Sequence, residues 1–326
     1  MDLLSEVLQA VEVEASSFVN LHPRAPWGFE IHDGDHFHFA YCYCLIEGEA
    51  IVLDDGAAAA GARLAPGDIL LLPGGGASRI ASSPQAPAVR IGDLWRGRRL
   101  PDLNDGATIA ASTHVRFDGD GAESHLLALA FRLRGRRYRR LLSALPRQLL
   151  YRAGRRPALP FLRSALDFLA EDGDSRQPGH MAVANGLAGL LFTVVLREAI
   201  LHDARHDTRQ AGGWLRGLFD KQIGKALLAI HQRPQHPWTV DSLAAECGMS
   251  RSAFAQRFNA CTGQPPIDYL TAWRVACAEE ALAHGDQPIA EIVNTLGYQS
   301  ESAFRKVFAK QTGMTPGRYR AGQRGQ

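Results

Sequence analysis

The chain has 326 residues, 46% of them hydrophobic and 21% charged, which exceeds the size at which one core keeps growing and excludes a disordered or fibrous chain. The net charge of +2 hides a division: residues 1–120 hold 8 basic and 17 acidic side chains, residues 121–215 hold 15 and 8, and residues 216–326 hold 13 and 9, so the front is excluded as a nucleic-acid surface and the rear is not. No apolar run approaches the ~20 residues that cross a bilayer, Met1-Asp-Leu-Leu-Ser-Glu6 lacks the parts of a secretory signal, and five irregularly spaced cysteines suit a reducing compartment; a cytoplasmic protein is expected.

Residues 20–118 read as β structure. Aromatic and β-branched segments such as Phe37–Ile46, Ala50–Leu53 and Ile69–Leu72 are separated by Asp54-Asp55-Gly56 and Ala65-Pro66-Gly67-Asp68, and short strands so punctuated predict a small sandwich or barrel. Cys42 and Cys44 would share one strand face, which raises a thiol switch as an option. The stretches His22-Pro-Arg-Ala-Pro-Trp27-Gly28, Leu64-Ala-Pro-Gly-Asp68 and Leu71-Leu-Pro73 resemble the cupin-type sensor domain that precedes the DNA-binding part of certain bacterial regulators. Many cupins hold a metal through histidines and a carboxylate, and His36-Phe-His38 has the right opening. Glu47 and Glu49 lie too far along, however, and Ser78 stands where a later histidine is expected. Two histidines make an incomplete site, so no metal, no cofactor and no catalytic residue is expected. Ser112 occupies the place where some relatives of this branch carry a reactive cysteine.

Residues 131–156 contain ten arginines and neither an acidic residue nor a lysine. Planar guanidinium groups bind phosphate bidentately and stack on bases. Three readings stay open: a solvated basic surface beside the DNA-binding part, a salt-bridged interface with the acidic front, or a site for a phosphorylated effector. For the third, Arg132-Leu-Arg-Gly-Arg136 and Arg136-Arg-Tyr-Arg-Arg140 are similar to the arginine motif of PilZ-type receptors for cyclic di-GMP. That resemblance offers Arg132, Arg134, Arg136, Arg137, Arg139 and Arg140 as effector-binding candidates. The remainder of the PilZ pattern is only approached, by Glu171-Asp-Gly-Asp-Ser175 and Gly179.

Pro160–Asp172 and Met181–Ala204 read as helices, the first opened by a proline whose φ suits a first helical position. The second is apolar around most of its circumference and must bury against something, either a second copy or the chain's own sensor. His202–Gly213 reads as a linker, and Trp214-Leu-Arg-Gly-Leu218 starts the last domain.

There the sequence repeats itself. Ser252-Ala-Phe-Ala-Gln-Arg-Phe258 returns as Ser302-Ala-Phe-Arg-Lys-Val-Phe308, with Thr262-Gly263 answering Thr312-Gly313, Pro266 answering Pro316 and Tyr269 answering Tyr319. Before each copy a short amphipathic helix ends at a glycine, Gly248 or Gly297, and the next opens at a serine. Glycine supplies a left-handed turn and serine caps the orphan amides. This is the pattern of a helix-turn-helix, whose second helix enters the major groove. Helical spacing puts Phe254 with Phe258, and Phe304 with Phe308, on buried faces. Ser252, Ala255, Gln256 and Asn259, and in the second copy Ser302, Arg305 and Lys306, face outward. Gln256 suits adenine and Arg305 or Lys306 suits guanine, at about 1–3 kcal/mol of discrimination for a good bidentate pair. Arg251 and Arg257, on the flanks, are assigned to phosphates.

Residues 218–322, with Trp238-Thr239, a long helix through Trp273 and Arg274, and the close Gly313-Met-Thr-Pro316-Gly-Arg-Tyr319-Arg320, resemble the AraC/XylS family of bacterial transcription regulators. The resemblance implies two helix-turn-helix motifs held by a linking helix so that their reading helices enter successive major grooves, roughly 34 Å apart. By matching positions it carries over Ser252, Ala255, Gln256, Ser302, Arg305 and Lys306 as DNA-facing. The expected fold is a multidomain α+β chain: a cupin-like β-barrel sensor at 1–120, an arginine-rich segment, helical connector and linker at 121–213, and an all-α DNA-binding domain at 214–326. The expected function is a ligand-responsive transcription activator, dimeric, with promoter DNA, RNA polymerase and a small-molecule or nucleotide effector as partners. It is not expected to be an enzyme. The alternatives are an effector-independent architectural DNA-binding protein and a cupin that senses a small organic ligand.

Overall fold

The computed structural model describes residues 12–31, 39–53, 61–73, 78–97, 113–134, 145–155, 160–171, 179–206 and 219–324, with a few isolated positions besides. The chain divides into two compact units. One comprises Glu12–Arg134 with Pro146–His202, and the other Asp203–Gln326 with the short segments Met1–Val11 and Gly135–Leu145.

The first unit contains, in chain order, β1 (Glu12–Pro23), β2 (Gly28–Ile31), β3 (Phe39–Glu47), β4 (Ala50–Leu53), β5 (Ala62–Leu64), β6 (Ile69–Leu72), β7 (Ser78–Ala81), β8 (Val89–Arg90), α1 (Ile91–Gly97), β9 (Thr113–Phe117), β10 (His125–Arg134) and β11 (Leu149–Tyr151), then α2 (Pro160–Glu171) and α3 (His180–His206). The strands form two sheets, one of six in the order β11-β6-β3-β10-β1-β9 and one of five in the order β5-β4-β7-β2-β8. Alternate residues, among them Leu21, Leu45, Leu72, Leu126 and Ala128 from the larger sheet and Phe29, Val52 and Ile80 from the smaller, meet in one buried cluster. That is the period-2 pattern of a strand with one face turned inward.

Two features differ from the sequence expectation. The described strands make two separate sheets, not a closed barrel, since no strand is shared between the ladders. And β10, which the sequence reading leaves beyond residue 120, runs in the middle of the larger sheet, antiparallel to both β1 and β3. The arginine-rich segment therefore begins as a central strand: Arg132 lies opposite Glu14 on β1 and Phe39 on β3.

The outer face of the six-stranded sheet is also covered. Phe131 packs on Phe192 of α3 with ring centroids 5.0 Å apart, and Asn20 Nδ2 donates to the Ala170 carbonyl of α2 at 3.3 Å. Ala184, Ala188, Leu191, Phe192, Val195, Leu196 and Ile200 of α3 are buried. Of the two destinations open to this helix, packing on the sheets of the chain's own first unit accounts for that face. Its other side leaves Val183 and Leu190 about half exposed, at 52% and 48%. Cys42 and Cys44 lie among the buried residues of β3 with their sulfurs 3.8 Å apart. Burial pushes the Cys44 thiol well up, which disfavours the reactive thiolate that a redox switch needs. Within the basic segment, Arg152 pairs with the buried Asp68 at 2.8 Å, and the same carboxylate accepts from the Ala65 and Ala153 amides.

The second unit is helical: α4 (Lys221–Gln232), α5 (Val240–Glu246), α6 (Arg251–Thr262), α7 (Pro266–His284), α8 (Ile289–Thr295), α9 (Glu301–Thr312) and α10 (Pro316–Arg324). Helix α7 lies between the two halves, and its first part holds the first half together. His231 of α4 stacks on Trp273 with centroids 3.8 Å apart and shares a hydrogen bond with the Tyr269 hydroxyl at 2.8 Å. Its later residues Val275, Ala278 and Leu282 belong to the core of the second half, with Ile292, Val293, Phe304, Phe308 and Tyr319. Arg274 joins the halves by donating to the carbonyls of Pro234 and His236 at 2.6 and 2.8 Å, its guanidinium 5.5 Å from the Tyr298 ring centre. Among the described residues no helix is long and apolar enough to cross a membrane.

Candidate nucleic-acid interface

Each half of the second unit presents a short helix, a left-handed glycine and a longer helix. In the first, Thr239 and Ser242 cap α5 reciprocally: the Ser242 amide donates to Thr239 Oγ1 at 3.1 Å and the Thr239 amide to Ser242 Oγ at 2.9 Å. A cap of this kind contributes about 1 kcal/mol. Gly248 then turns the chain at φ 64°, and Ser250 starts α6 by accepting from the Ala253 amide. The second half does the same with Gly297 at φ 73° and Ser300, which accepts from the Ala303 amide at 3.2 Å.

The sequence repeat is a structural repeat down to single hydrogen bonds. Phe254 and Phe258 are fully buried with centroids 5.5 Å apart, as are Phe304 and Phe308, also at 5.5 Å. Tyr269 meets Phe258 edge-on, and Tyr319 meets Phe308 edge-on. Thr262 Oγ1 donates to the Phe258 carbonyl at 2.9 Å, and Thr312 Oγ1 to the Phe308 carbonyl at 2.9 Å. With the aromatic side of each long helix inward, its opposite side must face solvent. Ser252, Gln256 and Asn259 are exposed on α6, with Ala255 intermediate between them, and Ser302, Arg305 and Lys306 are exposed on α9.

The arginines divide by partner. Arg251 and Asp241 are 3.4 Å apart with both side chains mostly exposed, and Arg305 pairs with Glu301 one turn earlier, Nε to Oε1 at 2.8 Å. Such surface pairs are worth little and exchange readily for a phosphate or a base. Arg257, assigned to phosphate in the sequence reading, is held differently. Its Nε donates to Asp220 Oδ2 at 2.6 Å and its Nη1 to Gln222 Oε1 at 2.7 Å. Asp220 is also the N-cap of α4, accepting from the Gln222 and Ile223 amides at 3.0 and 3.1 Å. Burial raises its pKa, but the hydrogen bonds from Ile223, Arg257 and Gln222 outweigh that and hold the carboxyl below its ordinary value.

A family model described as a helix-turn-helix domain matches residues 243–322, and one described as cupin matches residues 2–200. An AraC-like transcription regulator of Streptomyces antibioticus is 34% identical to the chain over 67% of the chain and 71% of that protein. The chain belongs to the AraC/XylS family of transcription regulators. As an AraC-family regulator it carries a cupin domain in front and a helical helix-turn-helix domain behind, and its relatives are regulators, not enzymes. The HTH-type transcriptional regulator AlkR of Acinetobacter baylyi is 29% identical over 98% of the chain and 99% of that protein. Among solved structures, the DNA-binding domain of AdpA in complex with a target DNA is 32% identical, covering 32% of this chain and 93% of that one, at a TM-score of 0.31.

In this AraC-family chain the effector candidates are far less visible than the DNA-facing ones. Arg132 and Arg134 are on β10, whereas Arg136, Arg137, Arg139 and Arg140 lie outside the described residues, as do His36, His38 and Ser112. Sequence reasoning missed a histidine cluster at the edge of the six-stranded sheet. His22 on β1 lies 3.2 Å from His114 on β9, Nε2 to Nδ1, and stacks on His125 of β10, which bonds to Asn20 Oδ1 at 2.7 Å. His114 and His125 follow His22 by 92 and 103 residues along the chain, and the strand order β10-β1-β9 brings them beside it.

Proposed function

We propose that this AraC-family regulator activates a promoter by reading it with both of its helix pairs, α5–α6 and α8–α9, each used as a helix-turn-helix, and that it acts in the cytoplasm on RNA polymerase. The observation that carries this is the repeated geometry of the two long helices: exposed Ser252 and Gln256 with the half-exposed Ala255 ride on α6 as exposed Ser302, Lys306 and Arg305 ride on α9, each helix turning a phenylalanine pair inward. Gln256 offers a bidentate partner for adenine and Arg305 one for guanine. The test is binding to a duplex selected from a random-sequence pool by the wild-type chain. Arg305→Ala with Lys306→Ala removes sequence-specific binding while the thermal unfolding of the protein stays the same; unchanged affinity would overturn the assignment of α9.

The effector has two candidate places. On the sequence motif alone, cyclic di-GMP would be held by Arg132, Arg134, Arg136, Arg137, Arg139 and Arg140, and calorimetric titration with that nucleotide tests it against a variant with alanine at Arg132, Arg136 and Arg140. A small organic ligand has one candidate place in an open surface depression of about 400 Å³ in the first unit, bordered by Glu49, Ile51, Arg63, Pro66, Ser83 and Pro84. Self-association is assigned to the exposed side of α3.

A further inference from the structure

We infer that Asp220 is the positioning residue of the first reading helix, holding α6 through Arg257 so that Ser252, Ala255 and Gln256 meet the bases in register. This rests on the DNA-reading role of α6 proposed above. Three strands of geometry lead to it.

The Asp220 carboxylate has its side chain only 12% exposed and serves two helices at once, capping the start of α4 and taking the Arg257 guanidinium from α6. Gln222, the second residue of α4, extends the clasp: its amide oxygen accepts from Arg257, and its Nε2 donates to the Cys247 carbonyl, at the end of α5 beside the Gly248 turn, at 3.3 Å. A single polar cluster therefore ties the beginning of α4, the end of α5 and the flank of α6. Arg257 stands directly after Gln256, so any movement of its anchor is delivered to a base-facing side chain.

Among the described residues the second half shows no such clasp. The residue that answers Arg257 in the repeat is Val307, which packs partly buried against the apolar core of that half. The two reading helices, alike in cap, turn and phenylalanine pair, are thus held on their flanks by different forces: α6 by an ion pair with geometric direction, and α9 by apolar contact. An ion pair with a fixed fork sets orientation more narrowly than a methyl contact does. It also withdraws Arg257 from the set of phosphate contacts, because leaving Asp220 would take its charged partner from a carboxylate that keeps only the Gln222 and Ile223 amides.

The experiment compares Asp220→Asn, Arg257→Ala and the double variant for binding to the pool-selected duplex across a range of salt concentrations, with protection footprints at each half-site. Asparagine still caps α4, so Asp220→Asn removes the charge and keeps the helix start; unchanged thermal unfolding checks this. The expected result is a loss of about tenfold in affinity for either single variant, no further loss in the double, weakened protection confined to the half-site read by α6, and an unchanged dependence on salt. A direct phosphate contact by Arg257 would give the opposite pattern: Asp220→Asn binding as well as wild type or better, and Arg257→Ala lowering the salt slope by about 0.9. That outcome would overturn the inference. Gln256→Ala is measured alongside. If it leaves affinity and sequence preference intact, the reading role of α6 itself is wrong; if it loses binding while Asp220→Asn does not, only the clasp is wrong.

Discussion

The imidazole of His125 lies stacked on that of His22, with ring centroids 4.3 Å apart and planes inclined by 19°. Burial, followed by the neighbouring His22 and His114, lowers the His125 pKa to about 4, and burial with His114 and Arg116 lowers that of His22 against the pull of Glu123 and Glu47. Both groups bind a proton more readily unfolded, near 6.5, than folded. Their contribution to stability is therefore fully present above about pH 6.5 and is lost as pH falls toward 4. Thermal unfolding followed between pH 7 and 4 is expected to show the first unit's transition falling by about 4 °C or more, and His125→Gln is expected to flatten that dependence. A transition of that unit that does not move over this range would contradict the packing of the three rings.

Gly297 and Gly248 occupy equivalent turns but not equivalent surroundings. A Cβ on Gly297 would meet the Gln235 carbonyl oxygen at 2.1 Å, whereas one on Gly248 would meet nothing within 4 Å. Both have positive φ, so alanine is strained at either place by about 1–3 kcal/mol. Gly297→Ala adds a backbone collision and is expected to destabilise the helical unit clearly more than Gly248→Ala does, as read by the denaturation midpoint of each variant.

Phe192 is 1% exposed and packs on Phe131 at the centre of the sheet's outer face. Phe192→Ala is expected to cost about 3–5 kcal/mol and to lower the unfolding transition of the first unit, measured by calorimetry on the full chain. Val183 and Leu190, on the opposite side of the same helix, are expected to behave otherwise. Val183→Glu with Leu190→Glu should leave the unfolding temperature within a degree or two of wild type and, if this side is where two copies meet, convert a dimer to a monomer in sedimentation.

The helices, caps and turns of the second unit were legible because their signals are local. A phenylalanine pair four residues apart, a serine before it and a glycine after it each have one physical meaning, and their return fifty residues later leaves little freedom. The partner of Arg257 was not legible: Asp220 is 37 residues earlier, and nothing in the spacing distinguishes a guanidinium bound to carboxylate from one waiting for phosphate. Strand β10 escaped for a different reason. Leu126–Phe131 is a continuous apolar run, buried on both faces, and such a run lacks the alternation that separates strand from helix. The arginines that follow drew the sequence boundary to residue 120, ahead of a strand that the sheet needs at its centre. The histidine cluster depends wholly on strand order, which no local pattern encodes.

The bonds from Arg274 to the carbonyls of Pro234 and His236 fasten the loop after α4 to the helix that joins the two halves. On the proposed reading by both helix pairs, that fastening acts as a ruler: inserting five base pairs between the two recognised sequences is expected to turn one of them to the far side of the DNA, out of reach of a helix held by the Arg274 bonds.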